Sequence, residues 1–287
     1  MSSAEERQQN PMPLLVPGVY DALSARIAEM AGFPVVTLSG YATSASVLGS
    51  PDFGLLTQTE VIRTARYVRQ AVNIGITVDA DTGYGGPINV IRTVRELEAI
   101  GVQGMILEDQ LWPKRCGHMA GKRVIPMEEY EQKLLAALEA RRNPASFLIT
   151  ARTDARGPLG LDEAIRRANR YRDLGANAIF VEAPQSKIEL RIIRENVPGP
   201  LVANMIEGGL TPILSLKDFQ ELGYQAVGFV LSSIFTAAKA IQDVLNYLKK
   251  EGTSVGFEER MTTFEEFTDM VRLPEFKAME GKYSLEE

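Results

Sequence analysis

The chain has 287 residues, 45% hydrophobic and 24% charged, with 37 acidic against 31 basic side chains and a net charge of −6. That balance gives a nucleic-acid partner no electrostatic footing, and no apolar run approaches the roughly 18 residues of a membrane span. A single cysteine excludes an intrachain disulfide framework, and the polar start MSSAEERQQNPMP is unlike a signal or transit segment, so the expectation is a globular, cytoplasmic protein.

Along the chain, short apolar β-branched runs alternate with longer amphipathic stretches. The runs predict strands over 14–17, 35–39, 76–81, 104–108, 147–152, 178–182, 201–204 and 226–230. Between them, helices are predicted over 21–32, 57–72, 88–100, 127–141, 161–174, 187–196, 213–222 and 233–250. Several helices end on a glycine (Gly32, Gly101, Gly175, Gly223), the residue that takes the left-handed C-cap conformation at least cost. Strands apolar throughout are those buried on both faces. Eight βα units in about 250 residues predict a (β/α)8 TIM-type barrel, with a doubly wound sheet as the rival. The barrel is assigned to residues 1–250, and residues 251–287 form a helical tail. In the tail, Phe264, Phe267, Met270 and Val271 make an apolar stripe. That stripe has to lie across its own barrel or against a neighbouring subunit.

In a barrel the chemistry gathers where the strands end. Here those ends read Ser39-Gly40-Tyr41, Asp79-Ala80-Asp81, Glu108-Asp109, Arg152-Thr153-Asp154, Glu182 and Asn204. Charges at the end of an apolar strand are costly unless paired or metal-bound. Asp79 and Asp81, two apart on a strand, share a face, and Glu108 follows on the next strand. Three carboxylates suit a hard cation, Mg2+ or Mn2+, whereas one cysteine and one histidine cannot supply the usual zinc set. The alternative is a structural network in which the acids pair with Arg152 and Lys114.

The only cysteine and the only histidine lie two apart in Lys114-Arg115-Cys116-Gly117-His118. Flanking cations argue for a loop thiol that is exposed, reactive and lowered from its usual pKa of about 8.5. A metal, a thiol loop and Arg152 together suit a small polycarboxylate: the ion chelates a 2-oxo or 2-hydroxy acid while Arg152 grips a second carboxylate.

From about Val16 to Lys250, the chain resembles the isocitrate lyase and phosphoenolpyruvate mutase superfamily. The resemblance is carried by Tyr20-Asp21-Ala22, Ser39-Gly40, Pro51-Asp52, the run Asp79 to Gly85, and Glu108-Asp109-Gln110. It continues through Lys114 to His118, Ala151-Arg152-Thr153-Asp154, Glu182-Ala183 and the run Asn204 to Gly209. It implies a (β/α)8 barrel whose last helix is swapped between subunits of a homotetramer, a dimer of dimers. It also implies Mg2+ held directly or through water by Asp79, Asp81 and Glu108. The Cys116 run becomes a gating loop whose thiol protonates a departing enolate. Cys116, Asp52, Arg152, Lys114, His118 and Glu182 form the implied catalytic set, and Ser39, Gly40, Tyr41, Arg115, Gly117 and Asn204 the substrate-binding set.

Two departures narrow the substrate. Methylisocitrate lyases usually carry glycine where this chain has Tyr41. The run 204–209 is closer to carboxyphosphonoenolpyruvate mutases or dimethylmalate-type lyases. The expectation is retro-Claisen cleavage of a 2-hydroxy di- or tricarboxylate, such as 2,3-dimethylmalate, a 2-alkylmalate or 2-methylisocitrate, releasing pyruvate or a related oxo acid. Tyr41, Asp52, Glu182 or a metal-bound water is its base. A phosphonomutase, an oxaloacetate hydrolase or decarboxylase, and a catalytically retired binding barrel are the alternatives. Trp112 and Pro113 are read as packing for the loop, and Asp109 and Asp154 as supporting partners.

Overall fold

The structure, a computed structural model, describes residues 10–283; the first nine residues of the polar start and the last four of the tail lie outside the described residues. Eight strands pair in parallel, each with its sequence neighbour and β8 with β1, so the sheet closes on itself. They are β1 (Leu14–Val19), β2 (Val35–Leu38), β3 (Gly75–Asp79), β4 (Gly104–Glu108), β5 (Leu148–Thr153), β6 (Ala178–Val181), β7 (Leu201–Met205) and β8 (Ala226–Phe229).

Helices α1 (Ala22–Met30), α3 (Gln58–Ala71), α4 (Pro87–Ala99), α5 (Met127–Ala140), α7 (Leu161–Asp173), α8 (Lys187–Asn196), α9 (Leu216–Leu222) and α10 (Ser232–Glu251) follow the strands in turn. Two further helical turns were not expected: α2 (Gly40–Thr43), which runs on into a π-helical turn over Ser44–Leu48, and α6 (Arg156–Leu159). The four predicted C-cap glycines all have φ between +79° and +106°. Capping boxes start several helices, as where Thr57 and Glu60 satisfy each other's backbone N–H groups at α3. The core lies between barrel and helices, where Val78, Leu107 and Ile149 meet Val90, Val94, Leu97 and Leu134, all fully buried.

Helix α10 differs from the others. None of its 20 residues is buried. The tail holds two helices, α11 (Phe264–Met270) and α12 (Leu273–Gly281), broken at Arg272 with φ +67°. Phe264 is 86% exposed and Phe267 42%, whereas the end of the stripe meets the chain's own barrel, the Met270 carbonyl accepting from Arg26 Nε of α1 at 3.3 Å. Among the described residues no helix is long and apolar enough to cross a membrane.

Candidate active site

The β4–β5 register sets Glu108 directly beside Arg152, so the last residue of one strand delivers an acid next to the neighbouring strand's guanidinium. Arg152 Nε lies 3.4 Å from Glu108 Oε2 and 2.8 Å from Asp154 Oδ2, and its Nη2 lies 3.3 Å from Glu182 Oε1. Asp154 also accepts from Lys122 Nζ at 2.8 Å. Burial opposes charge at both Arg152 and Asp154. Their partners outweigh it, holding the guanidinium well above its usual pKa and the Asp154 carboxyl well below. Asp109, expected as a supporting partner, accepts from Thr153 Oγ1, Tyr171 Oη and Arg167 Nη1 at 2.8–3.0 Å. It thus braces the β5 end from the outer side of the barrel. Lys122, Arg167 and Tyr171 were missed, because nothing in their local sequence separates them from ordinary surface or helix residues.

Strand alternation does not bring Asp79 and Asp81 together, as the sequence suggested. The strand β3 stops at Asp79, and Asp81 follows with φ +48°. The turn does make the two carboxylates converge: a Cβ on Gly40 would stand 3.0 Å from Asp79 Oδ2 and 3.2 Å from Asp81 Oδ1. Lys114 Nζ reaches into this acidic patch, 2.7 Å from Asp52 Oδ1 and 2.5 Å from Asp81 Oδ1. Burial works against its charge, but Asp81, Glu108 and Asp52 keep the ammonium well above its usual pKa. Lys114 pairing with acids is therefore part of the site.

Even so, the acids are left short of partners. Both oxygens of the fully buried Glu108 carboxylate lack a hydrogen bond, and Asp81 Oδ1 has only its ion pair with Lys114. Burial drives the Glu108 carboxyl well above its ordinary pKa and takes Asp81 to about 7. Beside them is the Tyr84 hydroxyl, also buried and unpartnered; it lies in the Asp79 to Gly85 run, but no role was expected of it. Hard oxygens that are buried and under-coordinated fit a divalent cation. Among the described residues no three His, Cys, Asp or Glu side chains group closely enough to ligate an ion directly. An ion at Asp79, Asp81 and Glu108 would therefore take part of its shell as water.

The thiol loop lies over these groups. Cys116 is buried, not exposed, and its thiol is pushed up to about 11, first by burial and then by the Glu182 and Asp52 carboxylates. The expected lowering fails because the cations of the run point elsewhere. Lys114 is consumed by acids, and the exposed Arg115 turns outward over the Phe53 ring, 5.5 Å from its centroid. Arg115 is the one expected substrate contact that the fold does not bring to the site. Gly117 is pressed so close that a Cβ there would meet Glu182 Oε1 at 1.9 Å. His118 Nε2 faces the same Glu182 oxygen at 3.6 Å.

Ser39, Asp79, Arg152 and Asn204 line one end of a cavity of about 150 Å³ that continues into the barrel past Thr37, Thr77, Thr150 and Phe180. Asn204 Oδ1 is buried there without a partner. Tyr41 packs edge-on to Phe235 of α10, centroids 6.2 Å apart, and is close enough to Cys116 for the two to influence each other's ionisation. Trp112 is 44% exposed, with its ring against Gly54.

A closed (β/α)8 barrel with paired acids, a gripping arginine and a sheltered thiol at its strand ends has the equipment of an enzyme acting on small anions. The family described as phosphoenolpyruvate phosphomutase matches residues 5–249, and the chain belongs to it. The 2,3-dimethylmalate lyase of Eubacterium barkeri is 43% identical over 271 residues, 94% of this chain and 93% of that protein. Among solved structures, an oxaloacetate acetylhydrolase bound to the inhibitor 3,3-difluorooxalacetate superposes with a TM-score of 0.89 at 33% identity. That likeness covers 96% of this chain and 93% of the other. A phosphonopyruvate hydrolase in complex with oxalate and Mg2+ gives 0.85 at 27% identity, covering 94% of each chain. The protein is an enzyme of the phosphoenolpyruvate mutase and isocitrate lyase superfamily.

Proposed function

We propose that the enzyme is a Mg2+-dependent carbon–carbon lyase that cleaves a 2-hydroxy di- or tricarboxylate to pyruvate or a related oxo acid. The family alone leaves lyase, hydrolase and mutase chemistry open. The observation that favours the lyase is the Cys116 thiol, enclosed beside Arg152 and Glu182 and protonated up to about pH 11. A thiol in that state is a proton donor and not a nucleophile.

The chain's own groups divide the work. Arg152 is locked by Asp154 and Glu182 and presents a fixed guanidinium to a substrate carboxylate, while Ser39 and Asn204 offer polar contacts in the same cavity. The C2 hydroxyl gives its proton to a carboxylate base, Glu182 or Asp52 beside the thiol loop, and the C2–C3 bond breaks, its electron pair moving onto C3 as an enolate of the departing carboxylate. The Cys116 S–H proton then passes to C3, leaving the 2-oxo acid and the shortened carboxylate. Bound at Asp79, Asp81 and Glu108, Mg2+ would supply chelation of the oxo-acid end and neutralise negative charge there. Tyr41, standing where methylisocitrate lyases usually carry glycine, favours a short substrate, 2,3-dimethylmalate or a 2-alkylmalate, over 2-methylisocitrate. A phosphonomutase, the reading the family's description carries, gives the buried thiol nothing to do.

The test is release of pyruvate or the corresponding 2-oxo acid (glyoxylate from isocitrate) with Mg2+ over 2,3-dimethylmalate, 2-alkylmalates, 2-methylisocitrate, isocitrate and oxaloacetate. One hydroxy acid should be cleaved, with turnover falling about 10²–10⁴-fold in Cys116→Ser while pyruvate still binds. Cleavage of none of them, or full turnover in the variant, would overturn the reading.

A further inference from the structure

The run Ile206-Glu207-Gly208-Gly209-Leu210, which follows β7, has no part in the chemistry above, yet it touches the thiol loop. It is pinned at both ends. Ile206 is buried against Ala42 and Leu231, and Thr211 is 2% exposed. Between them the Gly209 N–H closes a turn on the Ile206 carbonyl at 2.9 Å, with Gly208 at φ +74°, where a side chain would be strained. The turn aims the next amide outward, and Leu210 N–H donates to His118 Nδ1 at 2.8 Å.

An amide N–H can only donate, so Nδ1 is the lone-pair nitrogen and the imidazole is neutral, with its proton on Nε2 toward Glu182. The approach is possible because residue 209 has no side chain: a Cβ there would stand 2.4 Å from Nδ1. On its other side the loop is tied by Cys116 N–H to the Asp52 carbonyl at 3.2 Å. Cys116 sits between the two ties.

We propose that the Gly209–Leu210 backbone is a positioning element for this enzyme, a latch that captures neutral His118 and holds the Cys116 loop seated over the barrel mouth. It rests on the site assignment above but not on the reaction, since it concerns where the thiol is held. It also gives the double glycine two separate duties, the turn at Gly208 and the close approach at Gly209.

Acid releases the latch. A proton on Nδ1 would set two N–H groups against each other. The charged groups facing His118 are Glu182 beyond β6, Arg152 and Asp154 at the β5 end, and Lys122 from the loop itself. Burial lowers the imidazole pKa first and Glu182 raises it, with a net lowering. The seated loop therefore binds fewer protons than the released one. Seating is complete above the ordinary imidazole value of about 6.5 and weakens as pH falls through it.

The experiment uses Cys116 as its own reporter, being the only cysteine. The full-length protein, without substrate, is reacted with dithiodipyridine, which exchanges with the thiol and releases one thiopyridone. Rates are divided by that of free glutathione at the same pH. In the wild type the relative rate is expected to be low near pH 7.5 and to rise about tenfold near pH 5.5, on the imidazole titration. Gly209→Ala, whose methyl displaces the imidazole, should react about tenfold faster at both pH values. His118→Asn, whose amide oxygen can take the same N–H but does not titrate, should stay slow at both. A slow Gly209→Ala protein, a wild type without acid acceleration, or a His118→Asn protein that accelerates like wild type would each overturn the latch. Failure of every substrate in the pyruvate assay leaves these rates unaffected, so the two readings fall separately.

Discussion

With its pKa at about 11, the Cys116 thiol keeps its proton at neutral pH, and the cause is enclosure together with two neighbouring carboxylates. A raised thiol pKa has a definite sign: the enclosed state holds the proton more tightly than a free thiol does. Its contribution to keeping the loop seated is therefore full below about pH 8.5 and fades as pH climbs toward 11. The ultraviolet absorbance of the thiolate, taken as wild type minus Cys116→Ser, should titrate with a midpoint near pH 11. A midpoint near 8.5 would show an open, solvated thiol and remove the case for a proton donor. The sequence could point to this residue but not to its state. Its neighbours Lys114 and Arg115 are cations in any reading, and only the fold reveals that one is taken by Asp52 and Asp81 while the other faces out.

At the scale of elements, the strand ends were legible because burial makes them so. A strand apolar on both faces that stops on Glu108, Arg152 or Glu182 advertises the place where the barrel opens to polar chemistry. The eight predicted strands fall within two residues of the observed ones for the same reason. What stayed hidden was short or curved. The four-residue helices α2 and α6 are too brief to show a period, and the left-handed residues Asp81 and Arg272 turn the chain where no glycine marks it. The β5 end shows how much is carried by contacts across elements. Asp154 neutralises Arg152 and Lys122 at once, all three side chains being nearly fully buried. Asp154→Asn leaves two buried cations short of an anion, and the expected loss is about 3–5 kcal/mol of stability, read from urea unfolding monitored by circular dichroism. A loss below about 1 kcal/mol would mean that water reaches these groups and that Arg152 is not held rigidly.

For the whole molecule, the decisive feature is the apolar surface that α10 leaves uncovered. Ile234, Ala238, Ile241, Leu245 and Leu248 recur at intervals of four and three along α10, a stripe suited to another helix. Ile241 is 57% exposed and Leu245 59%, although the helix continues directly from the barrel's last strand. A long helix with no buried residue gains little from its own chain, because most helical stability comes from packing an apolar face. Phe264, Phe267 and Phe276 add further uncovered aromatic surface. We propose that a second copy of this chain covers the stripe, α10 and the tail crossing to the partner, in a homotetramer built from two such pairs. The wild type should then sediment as a tetramer in analytical ultracentrifugation. The double variant Ile241→Glu, Leu245→Glu should fall to smaller species, since each buried pairing would have to take in an unpaired charge. Because Phe235 of α10 packs on Tyr41, the same variant should lose activity along with its partner. A wild type that sediments as a monomer would sink the assembly, and α10 would then stand as an exposed apolar helix that nothing covers.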